Sequence, residues 1–262
     1  MLGFIFIELL TSTQNSQSNA LIAGLIILAF TSLEKKKIAL ASLFIVLTVF
    51  IKIFGLVAFA LFMFYPNKLR AVAYTVGWTL LLAVLPLLVV SVPQLSFQYQ
   101  SWLHLLQNDH SASVGLSVAG WLSSWFYIDA KNGIVLIGAA VFCLPFLKLT
   151  YYNDVNFKLL FLSSVLLWIV IFNHKAESAT FVIAVTGIAV WFFSRKITLL
   201  NSVLLGTAFL LTVLSPTDLF PKSIRENYVV PYVLKAVPCI LIWFKVIYDL
   251  LFYKPVDMFS SR

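Results

Sequence analysis

The chain has 262 residues, of which 61% are hydrophobic and 11% are charged, with a formal net charge of +8 and a mean hydropathy of +1.00. This composition excludes an ordinary soluble domain and predicts an all-α, polytopic membrane protein, because helices satisfy their own backbone hydrogen bonds inside a bilayer. The positive charge is typical of membrane orientation and attraction to anionic lipids. No basic stripe with stacking aromatic residues indicates a nucleic acid partner.

Seven apolar segments are candidates for helices that cross a hydrocarbon core of about 30 Å within one transmembrane domain, residues 1–262. They cover residues 18–33, 71–92, 133–150, 158–172, 179–193, 197–214 and 232–250. Glu8 interrupts the apolar N-terminus without a preceding basic residue, which argues against a signal peptide. A helix that starts near Ser18 on the external side would follow an earlier crossing, so we expect this chain to be the C-terminal portion of a longer protein.

The apolar run from Ile38 to Tyr65 is interrupted by Lys52 and is too long for one upright crossing but too short for two. It forms either a single tilted span or a short helical hairpin that enters and leaves on one side. Cytoplasmic loops carry an excess of Lys and Arg, so their distribution decides between the two.

The hairpin puts 11 basic residues on the inner side and 4 on the external side, whereas a single span puts 7 inside and 8 outside. The inner residues of the hairpin topology are Lys35, Lys36, Lys37, Lys68, Arg70, Lys148, Lys158, Arg195, Lys196, Lys254 and Arg262. The external ones are Lys131, Lys175, Lys222 and Arg225. The sequence therefore predicts seven full spans and a short hairpin whose tip lies near Lys52–Gly55.

This topology brings most polar segments to the external face, where we expect a hydrophilic cavity. The segments are 14–19, the tip at Lys52, 93–132, 173–178 and 215–231. The inner loops are short and basic, as expected of anchors that fix orientation.

The long external loop, residues 93–132, is predicted to lie along the membrane interface as one or two short helices and to cover part of the cavity. Its residues Trp102, Trp121 and Trp125 are typical of an aromatic belt that fixes depth.

Within this loop, Asp109, His110 and Ser111 place a carboxylate, an imidazole and a hydroxyl side by side. These groups suit acid-base chemistry or the binding of hydroxyl groups. A solvated turn that caps a helix starting near Ser113 explains the same residues.

Two further sites combine charge with an apolar surrounding. Lys52 is either a lysine that extends its ammonium toward the interface or an anion site at the tip of a buried hairpin, suited to a phosphate. The turn 173–178 supplies His174, Lys175 and Glu177. This is more ionisable chemistry than a turn requires, which favours a functional site.

Several of these features occur in a characteristic order: Gln17–Asn19 opening an apolar helix, a basic inner loop, the Lys52 hairpin, the serine-rich segment 111–121, and the polar turn with His174 and Glu177. In this order the chain resembles glycosyltransferase family 87, whose members are polytopic enzymes that resemble polyprenyl-phosphate-mannose-dependent mannosyltransferases. The resemblance covers about residues 3–195. The final two helices are generic.

The resemblance implies transfer of a hexose, with mannose expected, from a polyprenyl-phosphate sugar donor to a lipid or glycan acceptor, with inversion at the anomeric carbon. The reaction would take place at the external face of a bacterial inner membrane. A carboxylate would act as general base, and cations or amide donors would hold the departing phosphate.

The resemblance also implies roles for individual residues. Lys52 matches the family's hairpin lysine and is the expected phosphate-binding residue, and His174, Lys175 and Glu177 match its external turn. Gln17 and Asn19 are expected to bind the sugar, and Asp109, His110 and Ser111 are expected to face the acceptor.

Two questions about the chemistry stay open in the sequence. Cys143 and Cys239 both lie in apolar segments, so neither a disulfide nor a zinc site is predicted. We expect no cofactor, although a divalent cation could assist the departing phosphate.

Family members carry the expected catalytic acidic residue in an early external loop that is absent here. The chain is therefore truncated, has Asp109 or Glu177 as a replacement base, or does not catalyse.

Two other classes of protein compete with the enzyme. In a transporter or flippase, Lys235, Lys245 and Asp249 would line a path. Lys245 and Asp249 can instead pair on one helix face, which favours a structural role, and no internal repeat indicates a transporter. A non-catalytic membrane subunit would fit the missing base.

Overall fold

The computed structural model describes residues 2–107, 114–129 and 131–255, and within these ranges the secondary structure is helical, with no strand. The α-helices are α1 (Leu2–Gln14), α2 (Asn19–Glu34), α3 (Ile38–Ile51), α4 (Lys68–Val84), α5 (Val92–Gln107), α6 (Val118–Phe126), α7 (Lys131–Cys143), α8 (Val155–Ile171), α9 (Phe181–Phe193), α10 (Leu199–Thr207), α11 (Lys222–Ile224) and α12 (Val237–Leu251). The 3₁₀ helices are Ile53–Phe64, Leu85–Leu88, Leu144–Leu147, Leu149–Tyr151 and Ser178–Thr180, and the π-helical segments are Ala208–Leu214 and Arg225–Val229.

One helical stretch of the described chain, Lys68–Leu88, is long and apolar enough to cross a membrane by length and composition, and only 6% of its apolar 18-residue window is buried. Shorter apolar helices of 10–17 residues accompany it: Asn19–Glu34, Ile38–Ile51, Ile53–Phe64, Asn132–Leu147, Val155–Ile171, Ser178–Phe193 and Leu199–Leu214. Each of the seven predicted segments contains a helix. The all-α class is confirmed, and the number of full spans stays a prediction.

The centre of the bundle is the pair α8 and α9, which pack closely along their length. Both are apolar on all sides, as expected of helices surrounded by other helices. Gly187 permits the close approach, because a Cβ atom there would lie 3.0 Å from the Leu166 Cβ. The Ser163 hydroxyl donates to the Gly187 carbonyl at 2.8 Å, and Trp243 of α12 donates to Ser164 at 3.0 Å. The remaining helices are arranged around this pair.

The predicted hairpin is present. Helix α3 ends at Ile51, Lys52 is extended (φ −150°, ψ 129°), and the 3₁₀ helix Ile53–Phe64 packs back against α3. Gly55 lies so close to α3 that a Cβ atom would be 2.3 Å from the Thr48 Oγ1. The single continuous span, which was the other alternative for this run, is therefore not what the chain forms.

Several charged residues at the end of the bundle opposite Lys52 are paired. The Lys158 ammonium lies 2.5 Å from Glu34 Oε1, and the Tyr65 hydroxyl donates to the same oxygen at 2.5 Å. The sequence counted Lys158 among the basic residues of the inner side, and the structure adds that it is buried and joins α8 to α2.

A second paired group lies at the same end. Asp249 accepts hydrogen bonds from Lys245 and from the Trp191 indole, and Arg195 lies 3.8 Å from its carboxylate. This confirms the predicted pairing of Lys245 with Asp249. The contacts of Asp249 with Trp191 and Arg195 join α12 to the end of α9.

Phe64 helps hold the hairpin to the bundle, since its ring contacts four aromatic rings at centroid distances of 4.6 to 5.9 Å. Phe64→Ala would leave a cavity among them, and we expect a loss of about 3–5 kcal/mol in unfolding free energy. Unfolding of the purified protein in detergent measures this loss. The matched control is Phe193→Ala, since Phe193 is 59% exposed and should cost less than about 0.5 kcal/mol. Equal losses in both variants would contradict this account of the hairpin.

Candidate functional site

A cavity of about 580 Å³ opens where the hairpin, the start of α2, the end of α8 and the start of α9 meet. Its polar lining consists of Gln17, Lys52, Asn173, His174, Lys175, Glu177 and Thr180. Its apolar lining consists of Ile53, Phe54, Leu56, Val57, Trp168, Ile169 and Phe172. The structure thus brings together residues that are up to 160 positions apart and that the sequence assigned to one site.

Lys52 occupies the break between the two arms of the hairpin. The break exposes its side chain to the cavity, and its ammonium donates to Gln17 Oε1 at 2.7 Å and to Asn19 Oδ1 at 3.0 Å. The ammonium also lies 5.7 Å from the ring centre of Phe54. A half-buried cation needs such partners, because desolvation disfavours its charge. Both hydrogen-bond partners are neutral amides, so the positive charge stays available to an anion in the cavity.

Asn19 lies behind Lys52, and its side chain is fully buried. Its Oδ1 accepts from Lys52, and its Nδ2 donates to the Ala179 carbonyl at 3.0 Å. The sequence assigned Asn19 to sugar binding together with Gln17. The structure gives only Gln17 a place on the cavity wall, whereas Asn19 connects Lys52 to the segment after Glu177.

The turn between α8 and α9 is ordered by its own side chains. The Asn173 side chain accepts from the Lys175 backbone N–H at 2.9 Å, which is typical of an Asx turn. Glu177 and Thr180 form a reciprocal capping pair at the start of the following helix. His174, Lys175 and Glu177 are exposed, and Glu177 acts electrostatically on Lys52. The turn thus presents an imidazole, an ammonium and a carboxylate beside the hairpin lysine.

The segment 114–117 packs against this turn. The Leu116 backbone N–H donates to the Ala176 carbonyl at 2.9 Å, and Gly115, with φ +56°, lies against the His174 backbone. The predicted interfacial loop therefore contacts the site, through a short stretch between its two helices, α5 and α6. Asp109, His110 and Ser111 lie outside the described residues, so their assigned roles stay predictions.

One part of the site and one contact near it were not found from the sequence. The aromatic part of the wall, Phe54, Trp168 and Phe172, has the same pattern as a helix core and gives no separate signal. Trp125, which was assigned to an aromatic belt, donates from its indole to the Tyr232 carbonyl at 2.8 Å. This contact joins α6 to the segment before α12.

Residues 2–107, 114–129 and 131–255 contain no group of three or more His, Cys, Asp or Glu side chains that could hold a metal ion. Cys143 and Cys239 are both free cysteines.

The contact between Gly115 and the turn can be tested by adding one methyl group. In Gly115→Ala, the new Cβ would lie 2.5 Å from the His174 carbonyl oxygen in a left-handed backbone conformation, and we expect a loss of stability of at least about 1 kcal/mol. Thermal unfolding in detergent measures it. Gly133→Ala is the control, because no atom lies within 4 Å of its Cβ position and alanine favours the helix. A Gly115→Ala protein as stable as Gly133→Ala would show that the turn is not packed as described.

The comparisons with known proteins identify a family for the chain. No curated protein and no solved structure matches the chain. The model of glycosyltransferase family 87 matches residues 1–216, which include the hairpin, the start of α2 and the turn between α8 and α9. The chain therefore belongs to glycosyltransferase family 87, a family of membrane-associated glycosyltransferases.

Proposed function

We propose that the chain transfers a hexose, with mannose the expected sugar, from a polyprenyl-phosphate donor to a lipid or glycan acceptor. The observation that carries the proposal is the position of the Lys52 ammonium, which two neutral amides hold in a wall that also contains the Glu177 carboxylate. A phosphate and a hydroxyl nucleophile require these opposite charges in one cavity.

The cavity lies at the external face of a multi-pass protein of a bacterial inner membrane. The distribution of basic residues supports this orientation, because Lys158 and Arg195, both assigned to the inner side, pair at the end of the bundle opposite Lys52. The exposed, apolar surface of Lys68–Leu88 is suited to lipid.

Lys52 binds the phosphate of the donor. As the bond between the anomeric carbon and the phosphate oxygen breaks, negative charge grows on that oxygen, and a fixed ammonium stabilises it more than the ground state. The amide of Gln17 orients the ammonium, and Lys175 adds a second positive charge on the same wall. The aromatic side of the cavity, with Phe54 and Trp168, accommodates the first part of the polyprenyl chain.

Glu177 accepts the proton of the acceptor hydroxyl as that oxygen attacks the anomeric carbon. Its exposure in the cavity and its place near Lys52 support this role. His174 binds sugar or phosphate oxygens from the same turn. Asp109 is the second candidate for the base, with His110 and Ser111 beside it on the acceptor side.

The charged residues that a transporter would need are engaged in pairs. Lys235 contacts Glu8 at 2.7 Å, and Lys245 pairs with Asp249. Both pairs are largely buried against neighbouring helices and do not line the cavity described above. These contacts support a structural role for these residues rather than a transport path.

The phosphate role predicts that Lys52→Met lowers transfer by at least about tenfold, because the leaving phosphate loses its charge partner. The measurement is the transfer of radiolabel from polyprenyl-phosphate mannose to membrane lipid and glycan acceptors. Lys68→Met, a change of an exposed lysine at the start of α4, is the matched control and should transfer normally.

Transfer by Lys52→Met at the wild-type rate would remove Lys52 from the phosphate role. If folded wild-type protein transfers neither mannose nor another hexose from a polyprenyl-phosphate donor, the enzymatic proposal is wrong, and the non-catalytic subunit replaces it.

The base role makes a separate prediction. Glu177→Gln keeps the shape of the side chain but removes its basicity, so we expect transfer to fall by about a hundredfold or more while donor binding is retained. Transfer and binding of the same radiolabelled donor are measured on one preparation. Glu226→Gln is the control, since this exposed carboxylate pairs with Lys222 away from the cavity. Unchanged transfer in Glu177→Gln would assign the base to another residue, with Asp109→Asn the next variant.

A further inference from the structure

A buried ion pair connects the first helix to the segment that precedes the last one. The Lys235 ammonium lies 2.7 Å from Glu8 Oε1, and the two side chains are 5% and 0% exposed. The second carboxylate oxygen of Glu8 has no hydrogen-bond partner in the described part of the chain. Lys235 is therefore the group that compensates the buried carboxylate. Such a pair adds little stability compared with apolar residues of the same volume, because desolvation offsets the attraction.

Lys235 has a further contact that a simple counter-ion does not need. Its ammonium donates to the Ser178 hydroxyl at 2.7 Å and to the Ser178 carbonyl at 3.3 Å, and it lies 5.0 Å from the ring centre of Phe181. Ser178 directly follows Glu177. Lys235 thus binds the hydroxyl and the carbonyl of the residue next to the proposed base.

The same segment is connected to the phosphate side of the cavity. The residue after Ser178 is Ala179, whose carbonyl accepts from Asn19 Nδ2 at 3.0 Å, and Asn19 Oδ1 accepts from Lys52 at 3.0 Å. A continuous series of contacts therefore runs from the Glu8–Lys235 pair through residues 178 and 179 to the hairpin lysine.

We propose that Lys235, with Glu8 as its counter-ion, is a positioning residue. It fixes the segment that carries Glu177 and, through Ala179, the Asn19 amide that binds Lys52. The proposal deepens the proposed function and rests on it for the consequence in catalysis. Lys235 lies beyond residue 216, where the family match ends, so the family comparison does not assign it a role. The position of the base and the phosphate ligand depends on a contact from the C-terminal part of the chain.

Three variants of the full chain test this role: Lys235→Met, the double variant Glu8→Gln/Lys235→Met, and the control Lys245→Met. The control removes another partly buried, paired lysine ten residues further along, whose partner Asp249 keeps Arg195 nearby. The double variant removes the uncompensated carboxylate that Lys235→Met leaves behind, so it separates folding from positioning.

Amide hydrogen exchange of residues 173–180 is the first readout. Lys235→Met and the double variant are expected to exchange at least about tenfold faster there, because the Ser178 contacts are lost in both. Lys245→Met should leave this segment unchanged. The thermal unfolding temperature of the double variant should lie closer to that of the wild type than the unfolding temperature of Lys235→Met does.

Transfer from radiolabelled polyprenyl-phosphate mannose is the second readout. In the double variant, kcat is expected to fall by at least about tenfold while KM for the donor changes by less than about threefold, because the site is misaligned rather than removed. Lys245→Met should keep its kcat. Recovery of both kcat and stability in the double variant would overturn the proposal, because that joint recovery is what a purely structural role of Lys235 predicts.

Unchanged exchange of residues 173–180 in folded Lys235→Met would also overturn it, whatever the activity. Faster exchange in these variants, with no transfer by the wild-type protein, would support the positioning contact and contradict the proposed function. The failure of the positioning role can thus be distinguished from the failure of the proposed function.

Discussion

The ammonium of Lys52 is held by two amide oxygens from the short stretch that opens α2, and the arrangement of the candidate site depends on this contact. A cation at the tip of an apolar hairpin requires polar partners, and charged partners would neutralise it. Gln17 and Asn19 satisfy its hydrogen bonds without cancelling its charge. Through Asn19, the same contact fixes the distance between the hairpin and the segment that follows Glu177.

Charged side chains are partnered differently at the two ends of the bundle. At the end opposite Lys52, Lys158 pairs directly with Glu34, and Asp249 pairs with Lys245 and lies near Arg195, which joins α8 to α2 and α12 to the end of α9. At the cavity end, the charges of Lys52 and Glu177 face a shared space. Direct pairing compensates the charges of both partners, whereas separated charges can bind and polarise a substrate. This difference is the physical reason to place the chemistry at one end.

Much of the fold could be predicted from the sequence, because hydrophobic length and the distribution of Lys and Arg are strong signals in membrane proteins. The hairpin followed from one observation, a run of apolar residues from Ile38 to Tyr65 with Lys52 near its middle. The gathering of Gln17, Lys52 and the 173–178 turn followed from the topology that this hairpin imposes.

What the sequence did not predict depends on long-range packing. Glu8 and Lys235 are 227 residues apart, and no local pattern indicates that they meet. Asn19 was assigned to the sugar, but helix packing buries it behind Lys52, where both ends of its amide are engaged. The contact of Gly115 with the His174 backbone likewise depends on how the segment 114–117 packs against the bundle. Side-chain chemistry identifies candidates, and only packing decides which of them face the cavity.

The central claim is that the cavity beside Lys52 binds a polyprenyl-phosphate headgroup. The most direct measurement is an experimental structure of the protein in lipid nanodiscs with polyprenyl phosphate bound. The account predicts the phosphate within hydrogen-bond distance of the Lys52 ammonium, on the wall that contains Gln17 and Glu177. A second, smaller cavity of about 310 Å³, lined by Lys36, Lys37 and Arg70, offers positive charge near the start of α3. Density for the phosphate there, with the cavity at Lys52 empty, would contradict the account.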